Sequence, residues 1–342
     1  MAVSADSDDL LVRAAAGDDR AFETLVRPHE RAIFRHCYRM LGSGPDAEDA
    51  VQDTLERAWR RLASYDGSGS FAAWLHRIAT NISLDALRTR RARLSPAGYG
   101  PATVTGSALA PPDPEMIWVE PVSDADLNGS VDPQAVLARR EEISLAFVAA
   151  LQLLAPRQRA ALLLHDVLGF SQPETAEVLA VSTSAVNSLL ARARQTVRGR
   201  SSAPAPDLAS PRVRQMLESY VRAWQLADID AFVELVAADI RFSMPPLSAW
   251  FDGRAAVGQF VEEAIFAAAR PYGVTLREGS CNGQPAFGVY QPDGAGHLVL
   301  AGLQILQLAD VDGEPRVSAL VSYRDPGLAA RCGLPAEIDP GA

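Results

Sequence analysis

The segment from residue 71 to residue 93, FAAWLHRIATNISLDALRTRRAR, most constrains what this chain can fold into. Its aromatic and polar members recur at steps of three and four residues, which places them on one helical face: Trp74, Arg77, Asn81, Asp85 and Arg88. The opposite stripe is apolar and is predicted to pack inward: Leu75, Ile78, Ile82 and Leu84. The pattern therefore predicts an amphipathic helix whose exposed face carries an aromatic ring, an amide and cations together.

Arginines close this helix and favour contact with a polyanion. They lie where cations suit both the helix dipole and a phosphate backbone: Arg88, Arg90, Arg91 and Arg93. A stacking plane, a hydrogen-bonding amide and a basic groove are what single-stranded nucleic acid needs. An ordinary amphipathic helix with a solvated basic end would show the same pattern, so the neighbouring segments decide between the two interpretations.

Length and composition bound the class of protein. A chain of 342 residues is predicted to hold two or three domains. No apolar run approaches the roughly 20 residues of a membrane span, and the acidic start MAVSADSDDL is unlike a signal peptide. The three cysteines, Cys37, Cys281 and Cys332, are far apart and lack metal-ligand spacing. We expect a reduced, cytoplasmic protein without a membrane segment, a metal or a cofactor.

The formal charge of −10 is unevenly spread along the chain. Residues 205–342 hold 17 acidic residues against 10 arginines, which leaves about −3 for residues 1–204. Acidic residues cluster at 46–56, whereas arginines cluster at 88–93 and 192–200. The chain has no lysine, so every basic side chain is a guanidinium that can bind bidentately or stack. Local charge, and not the net value, therefore decides what each segment can bind.

Periodicity and linker composition predict five segments. Residues 6–93 are helical, 94–133 form a Pro/Gly/Ser-rich connector, 134–199 are helical again, 200–211 form a second linker, and 212–335 form a different domain. The sequence IWVEPVSD around Trp118 is unusually apolar for a free linker, so this part of the connector is expected to dock on another surface.

The last segment changes character along its length. A helical pattern over 212–238 is followed by stretches rich in β-branched and aromatic residues, at 240–244, 273–281, 285–290, 297–307 and 315–323. Turn sequences such as Asn282-Gly283 and Asp312-Gly313 separate them. The pattern predicts an α+β domain with an antiparallel, curved sheet.

Residues 171–198 have the size and the turn of a helix-turn-helix. Ala176 is small where two helices cross, and the shared core is predicted to hold Val178, Leu179, Val181, Val186 and Leu189. Short polar side chains begin the second helix, where a major groove would meet it, and arginines that could hold phosphates follow: Ser182, Thr183, Ser184, Asn187, Arg192, Arg194 and Arg198. Two packed helices of a protein–protein module are the alternative.

The sequence from Asp46 to Glu56, DAEDAVQDTLE, is an acidic helix. Its carboxylates lie beside apolar Val51, Leu55 and Trp59, which favours docking on a basic partner and not on DNA. Taken alone, an acidic helix of this kind is more often a solvated face.

These three elements, in this order, resemble the extracytoplasmic-function (ECF) group of bacterial RNA polymerase sigma factors. DAEDAVQDTLERAW resembles their polymerase-docking helix, and FAAWLHRIATNISLDALR resembles the helix that contacts the −10 element. LLAPRQRAALLLHDVLGFSQPETAEVLAVSTSAVNSLLARAR resembles the region that contacts the −35 element. The resemblance covers residues 6–93 as region 2, which melts the promoter, and about 134–199 as region 4.

The resemblance implies partners and site residues. Core RNA polymerase, through its β′ clamp and β flap, and promoter DNA would be the partners. The β′ clamp coiled coil would receive Asp49, Gln52, Asp53 and Trp59. The unpaired −10 strand would face Trp74, Arg77, Asn81, Asp85, Arg88, Arg90 and Arg91, and the loop 65–70 would receive a flipped base. The −35 duplex would face Ser182, Thr183, Ser184, Asn187, Arg192 and Arg194.

The C-terminal third resembles the SnoaL-like branch of the NTF2-like cone fold, through VRAWQLADIDAFVELVAADIRFSMPPLSAWFDGRAAVGQFVEE and the later VSALVSYRDPGLAARCGLP. Some ECF subgroups carry such a fused tail. Cones of this kind enclose an apolar cavity, which could hold a small-molecule ligand. Core filling is the simpler role of the candidate lining residues, which are Trp224, Phe242, Met244, Trp250, Phe260, Tyr290 and Tyr323.

We therefore expect a multidomain protein with two all-α sigma domains and a C-terminal α+β cone. Its expected function is promoter recognition and melting for RNA polymerase, without enzymatic activity, under regulation in cis by the cone. A ligand-sensing DNA-binding regulator is the main alternative, and a SnoaL-like enzyme with a helical appendage is the second.

Overall fold

The computed structural model of the chain describes residues 5–65, 67, 69–89, 93–95, 100–128, 143–198, 205–293 and 295–339. The chain divides into two compact units. The helical unit comprises Met1–Ala92, Ala125–Ile143 and Phe147–Gly199, and the C-terminal unit comprises Arg93–Asp124, Ser144–Ala146 and Arg200–Ala342. Within the described residues, no helix is long and apolar enough to cross a membrane.

The first half of the helical unit is a bundle of five helices in its described part. They are α1 (Ala5–Ala15), α2 (Asp19–Val26), α3 (Glu30–Leu41), α4 (Gly44–Arg61) and α5 (Phe71–Thr89). Ser43 caps α4 by accepting a hydrogen bond from the Asp46 N–H, and Gly42 ends α3 with φ of +72°. The inward stripe predicted for α5 is confirmed for Leu75, Ile78 and Ile82, which are buried. Leu84 is only half-buried.

Further helices follow in the chain. They are α6 (Asp124–Asn128), α7 (Leu145–Gln152), α8 (Pro156–Leu162), α9 (Gln172–Leu179) and α10 (Thr183–Arg198), with a π-helical turn over Leu163–Val167. Ser171 and Glu174 form the capping box of α9, and Ala180 (φ +51°) makes the turn before α10. Val178, Leu179 and Val186 are buried as predicted, whereas the inward position on α10 belongs to Leu190 and not to Leu189.

The C-terminal unit packs helices against one sheet. Its helices are α11 (Pro211–Leu226), α12 (Ile229–Leu235), α13 (Arg254–Phe260, continued by a π turn to Phe266) and α14 (Pro326–Arg331). Its strands are β1 (Val236–Ser243), β2 (Trp250–Asp252), β3 (Thr275–Cys281), β4 (Gln284–Pro292), β5 (Leu298–Val311), β6 (Glu314–Tyr323) and β7 (Glu337–Ile338). The strand order is β2-β1-β6-β5-β4-β3, and β7 pairs with β5. The turns predicted at Asn282-Gly283 and Asp312-Gly313 are present, with positive φ at all four residues.

The sheet differs from the expected antiparallel one at a single pairing. β1 pairs with β6 in parallel, through Phe242 opposite Leu320 and Ser243 opposite Val321. Parallel neighbours need a long crossover between them. The chain from Met244 to Gly313, which includes α13 and the β3–β5 meander, supplies it. Periodicity along each strand reports burial and carries no information about the direction of its neighbour.

The connector predicted over 94–133 is a second difference, because residues 93–124 belong to the C-terminal unit. Leu94 forms an isolated parallel bridge with Trp118, whose indole N–H donates to the Pro246 carbonyl at 3.1 Å. Trp118 and Val122 are buried. The docking expected for IWVEPVSD is therefore confirmed. Short aperiodic segments can bury single aromatic residues without any pattern that marks them as structured.

Candidate nucleic-acid interface

Three aromatic rings form a platform at the start of α5. The Phe71 and Trp74 rings are stacked, with centroids 5.5 Å apart and planes inclined by 29°. Tyr65 packs against both, with centroids 5.5 Å from each. The Tyr65 hydroxyl donates to the Gly69 carbonyl at 2.8 Å and so closes the loop before the helix. Phe71 is buried, whereas Tyr65 and Trp74 stay half-exposed, so part of the platform is accessible for stacking.

The rest of the predicted α5 face is polar and exposed. Asn81, Asp85 and Arg88 are all exposed, and Arg88 lies 3.8 Å from Asp85 in a loose ion pair. Arg77, one turn beyond Trp74, is half-exposed and donates to Glu177 of α9 at 2.6 Å. Arg90 and Arg91 lie outside the described residues. The predicted face therefore exists as a continuous surface from Trp74 to Arg88.

Two buried histidines lie beneath this face. His36 on α3 and His76 on α5 have ring centroids 5.6 Å apart, and both are buried. The Thr80 hydroxyl donates to the His76 carbonyl, so it accepts from Nε2 of His36. Nδ1 of His76 donates to the Ala72 carbonyl. These partners assign the tautomers, which leaves Nδ1 of His36 and Nε2 of His76 as buried acceptors with no hydrogen-bond partner among the residues that the structure describes.

Burial lowers the pKa of both imidazoles, and it lowers that of His36 well below 6.5, with smaller contributions from His76 and Arg39. The folded protein thus binds fewer protons than the unfolded chain once the pH falls below about 6.5. The contribution of these histidines to the free energy of unfolding is therefore fully present above about pH 6.5 and is lost progressively as the pH falls below it. Below about pH 6.5, each imidazole that stays neutral in the fold should lower the free energy of unfolding by up to about 1.4 kcal/mol per pH unit.

We expect acid to unfold the helical unit early. Between pH 7.5 and pH 5.5 the free energy of unfolding should fall by up to about 3 kcal/mol from these two histidines. Urea unfolding at the two pH values, followed by the far-ultraviolet circular dichroism of the helices, measures the change. The His36→Gln variant cannot take up that proton, so its free energy of unfolding should fall by up to about 1.4 kcal/mol less than that of the wild type over this interval. Equal acid sensitivity in both proteins would contradict the assignment.

The second predicted face lies at the start of α10. Ser182, Thr183, Ser184 and Asn187 are all exposed. The Ser182 hydroxyl accepts from the Ala185 N–H at 3.2 Å, so this side chain caps α10 as well as facing outward. Val186, Leu190 and Ala193 hold the opposite side of the helix in the core. A helix presented by its N-terminal polar residues has the geometry of a major-groove recognition helix.

Arg194 has an internal partner that the sequence pattern did not predict. Its Nε and Nη2 atoms donate to the two carboxylate oxygens of Asp166 at 2.9 and 2.6 Å. Asp166 lies in the π-helical turn after α8, 28 residues away in sequence, so only the fold brings the two together. This bidentate pair fixes the orientation of the Arg194 guanidinium. An arginine without such a partner would meet a phosphate in no fixed orientation. Arg192 is exposed.

The exposed face of α4 is acidic, in contrast to the arginine-bearing faces of α5 and α10. Asp49, Gln52, Asp53 and Glu56 are exposed at helical spacing along one side of the helix. Trp59 ends this stripe and packs edge-on against Phe22 of α2, with ring centroids 4.9 Å apart. The stripe therefore combines carboxylates, an amide and the free edge of an anchored indole.

The candidate cavity residues of the C-terminal unit are engaged in packing. Trp224, Phe242, Met244, Tyr290 and Tyr323 are buried, whereas Trp250 is half-buried. Trp224 contacts the Phe232 and Phe266 rings, and Phe242 contacts Phe251 and Phe260. The hydroxyls of Tyr290 and Tyr323 donate to the backbone carbonyls of Pro335 and Val119.

Comparison with known sequences agrees with this layout. The profile of Sigma-70 region 2 matches residues 25–93, that of Sigma-70 region 4 matches residues 144–197, and that of the SnoaL-like domain matches residues 217–313. Regions 2 and 4 in one chain define a transcription-initiation factor of the sigma-70 class.

Individual relatives place it more narrowly. The ECF RNA polymerase sigma factor SigG of Mycobacterium tuberculosis is 41% identical over 92% of this chain and 84% of its own length. SigJ of the same organism is 32% identical over 65% of this chain and 63% of its own length. The chain belongs to the ECF family of RNA polymerase sigma factors. The crystal structure of SigJ shares the fold, with a TM-score of 0.55 at 23% identity over 89% of this chain and 97% of that one.

Proposed function

We propose that α5 contacts the unpaired −10 strand of a promoter, α10 contacts the −35 duplex, and the acidic stripe of α4 docks on the β′ clamp of core polymerase, with region 4 meeting the β flap. The aromatic platform of Tyr65, Phe71 and Trp74 supports this most, because it holds a half-exposed indole on the helical face that also carries the exposed amide of Asn81, about two turns further along. Stacking plus amide hydrogen bonds suits flipped, single-stranded bases and not duplex DNA. Promoter-directed transcription by reconstituted polymerase is the test.

We further propose that the C-terminal unit regulates initiation in cis by holding the segment that joins regions 2 and 4 in sequence. The Tyr323 hydroxyl donates to the Val119 carbonyl at 2.8 Å. The Val122 N–H donates to the side-chain oxygen of Asn282 at 3.0 Å, and the Gly283 N–H donates to Asp124 at 2.6 Å. A connector fixed at several points has fewer conformations in which to span two promoter elements. The domain thus controls how far regions 2 and 4 can separate.

The double variant Tyr323→Phe with Asn282→Gly tests this control. Each change removes a side-chain hydrogen bond to the connector, worth about 1 kcal/mol, and glycine retains the positive φ of the turn at residue 282 (+55°). Promoter-specific transcription by core polymerase with this variant should differ from wild type by at least about threefold.

Tyr290→Phe is the matched control, because it removes a similar hydroxyl-to-carbonyl bond, to Pro335, inside the same unit. Transcription with this variant should stay within about twofold of wild type. An unchanged rate in the double variant, with the thermal stability of both proteins preserved, would contradict regulation through the connector.

We propose no enzymatic turnover for the C-terminal unit, and a small-molecule ligand there stays a prediction. Asp228 caps α12 by accepting from the Ala231 N–H, which is a structural role. His297 is exposed and lies 3.3 Å from Asp293, so this pair sits on the surface and away from the buried aromatic core. Catalysis would need an acid–base pair placed beside a bound substrate.

A further inference from the structure

One arginine of the proposed −10 face, Arg77, is already bound to an anion of the same chain. Nη1 of Arg77 on α5 donates to Oε1 of Glu177 on α9 at 2.6 Å, and the Arg77 side chain keeps 38% of its exposure. Glu177 belongs to the first helix of the helix-turn-helix, 100 residues further along the chain. A carboxylate oxygen at a guanidinium occupies the place that a phosphate oxygen of the promoter strand would take.

This contact cannot persist on a promoter. The positions that name the −10 and −35 elements are 25 base pairs apart, or about 85 Å at about 3.4 Å per base pair. The recognition helix α10 has 16 residues and is therefore about 24 Å long. A helix-turn-helix that touches α5 through Glu177 cannot at the same time reach the −35 element while α5 lies on the −10 strand. Region 4 must leave region 2 before both elements are engaged.

A buried arginine on α8 holds the two regions together on another side. Arg159 is 2% exposed and donates to the Met40 carbonyl at the end of α3, and also to the Gln152 and Leu154 carbonyls. Burial lowers its pKa to about 10, which still leaves it charged at neutral pH. A cation at the carbonyl end of α3 matches the negative end of that helix.

Gln152 at the end of α7 completes this junction. Its amide N–H donates to the Arg39 carbonyl at 3.2 Å, and its side-chain oxygen accepts from Arg159. Its Cδ atom would lie 3.0 Å from a β-carbon at Gly42, so the amide packs directly on the glycine that ends α3. Region 4 side chains thus cap two of the last carbonyls of a region 2 helix. The junction stabilises the arrangement in which Glu177 reaches Arg77.

We propose that the free protein is held closed by this junction, and that Glu177 then acts as an internal competitor of promoter DNA for Arg77. Opening exchanges one anion for another at Arg77 and exposes the Arg39 and Met40 carbonyls to water. The proposal builds on the −10 role of α5. It adds that region 4 itself withholds part of that face until the two regions separate.

Two measurements on the full chain test the proposal. Spin labels on Thr89→Cys in α5 and Thr196→Cys in α10 report the distance between the two regions, and the three native cysteines are buried. The free protein that carries these two labels and no other change should give one narrow distribution at a short distance. A broad distribution would mean that the regions are already separate and would overturn the proposal. This measurement uses neither DNA nor polymerase, so its failure would leave the proposed promoter contacts standing.

The second measurement is the affinity of the free protein for a fluorescein-labelled single-stranded oligonucleotide at low salt. Glu177→Gln should tighten binding by about two- to fivefold, the range expected for loss of an exposed ion pair. In an Arg77→Gln background the same substitution should leave the affinity unchanged, because the guanidinium that pairs with Glu177 is absent. Glu23→Gln is the control, because it breaks the exposed ion pair with Arg27 at the end of α2. It should change the affinity by less than Glu177→Gln does.

Equal tightening by Glu177→Gln in both backgrounds would show a general charge effect and overturn the competitor role. An unchanged affinity in the wild-type background, or no measurable binding by any variant, would overturn it as well. If Arg77→Gln alone leaves oligonucleotide binding intact while the spin-label distance is short and narrow, the −10 role of Arg77 fails and the closed state stands.

Discussion

Replacing Trp74 with alanine should lower open-complex formation by about 10- to 100-fold while leaving the affinity for core polymerase within about twofold. Base–aromatic stacking contributes about 1–3 kcal/mol per base, and each 1.4 kcal/mol is a factor of ten. The half-exposed Trp74 ring stacks on Phe71, which holds it in place for a base. Permanganate reactivity of unpaired thymines in a reconstituted polymerase–promoter complex measures the effect.

Asn81→Ala gives the same test with less risk to the fold, because Asn81 is exposed whereas Trp74 shares contacts with Tyr65 and Phe71. Tyr272→Ala is the matched control, since Tyr272 is a 76% exposed aromatic residue of the C-terminal unit. Open complexes should form normally with this control. A parallel loss of polymerase binding and promoter melting in the Trp74 and Asn81 variants would show that α5 has a structural role only.

Neutralising the acidic stripe of α4 should weaken core polymerase binding, which the Trp74 change should leave nearly unaffected. Asp49→Asn with Asp53→Asn should weaken core polymerase binding by at least about tenfold, because hydrogen bonds to charged groups contribute about 1.5–3 kcal/mol each. Both side chains are exposed, so the variant should keep its thermal stability. Titration of labelled protein with core polymerase at two salt concentrations measures the loss, and the wild-type affinity should fall more steeply with salt.

Glu48→Gln controls for net charge, because Glu48 is exposed on the same helix and adjoins Asp49 outside the proposed stripe. Its affinity should stay within about threefold of wild type. If all three carboxylates contributed equally, attraction by the overall charge of α4 would explain docking, and the specific contact would be wrong.

Local patterns were sufficient to predict the helices that carry the proposed interface. The three-and-four spacing of Trp74, Arg77, Asn81, Asp85 and Arg88 identified this face of α5. Ser171 with Glu174 marked the start of α9. These features depend on residues within one or two turns of each other, which is the range that periodicity and capping describe.

Contacts between distant residues were beyond the reach of these patterns. Asp166 orients Arg194 across 28 residues, and Glu177 binds Arg77 across 100. The parallel pairing of β1 with β6 and the burial of Trp118 in the C-terminal unit likewise depend on topology. Arg159 resembles an ordinary basic residue in a helix that begins with proline, yet it is almost completely buried. Each case needs a partner that only the folded chain supplies.

The most direct test of the account is a crosslink from α5 to promoter DNA in the assembled polymerase complex. A photoreactive amino acid at position 81, which is exposed, should crosslink to unpaired bases of the −10 element, and the same probe at position 187 of α10 should crosslink to the −35 duplex. Crosslinks from position 81 to polymerase alone, or to the −35 duplex, would contradict the assignment of α5 to the melted strand.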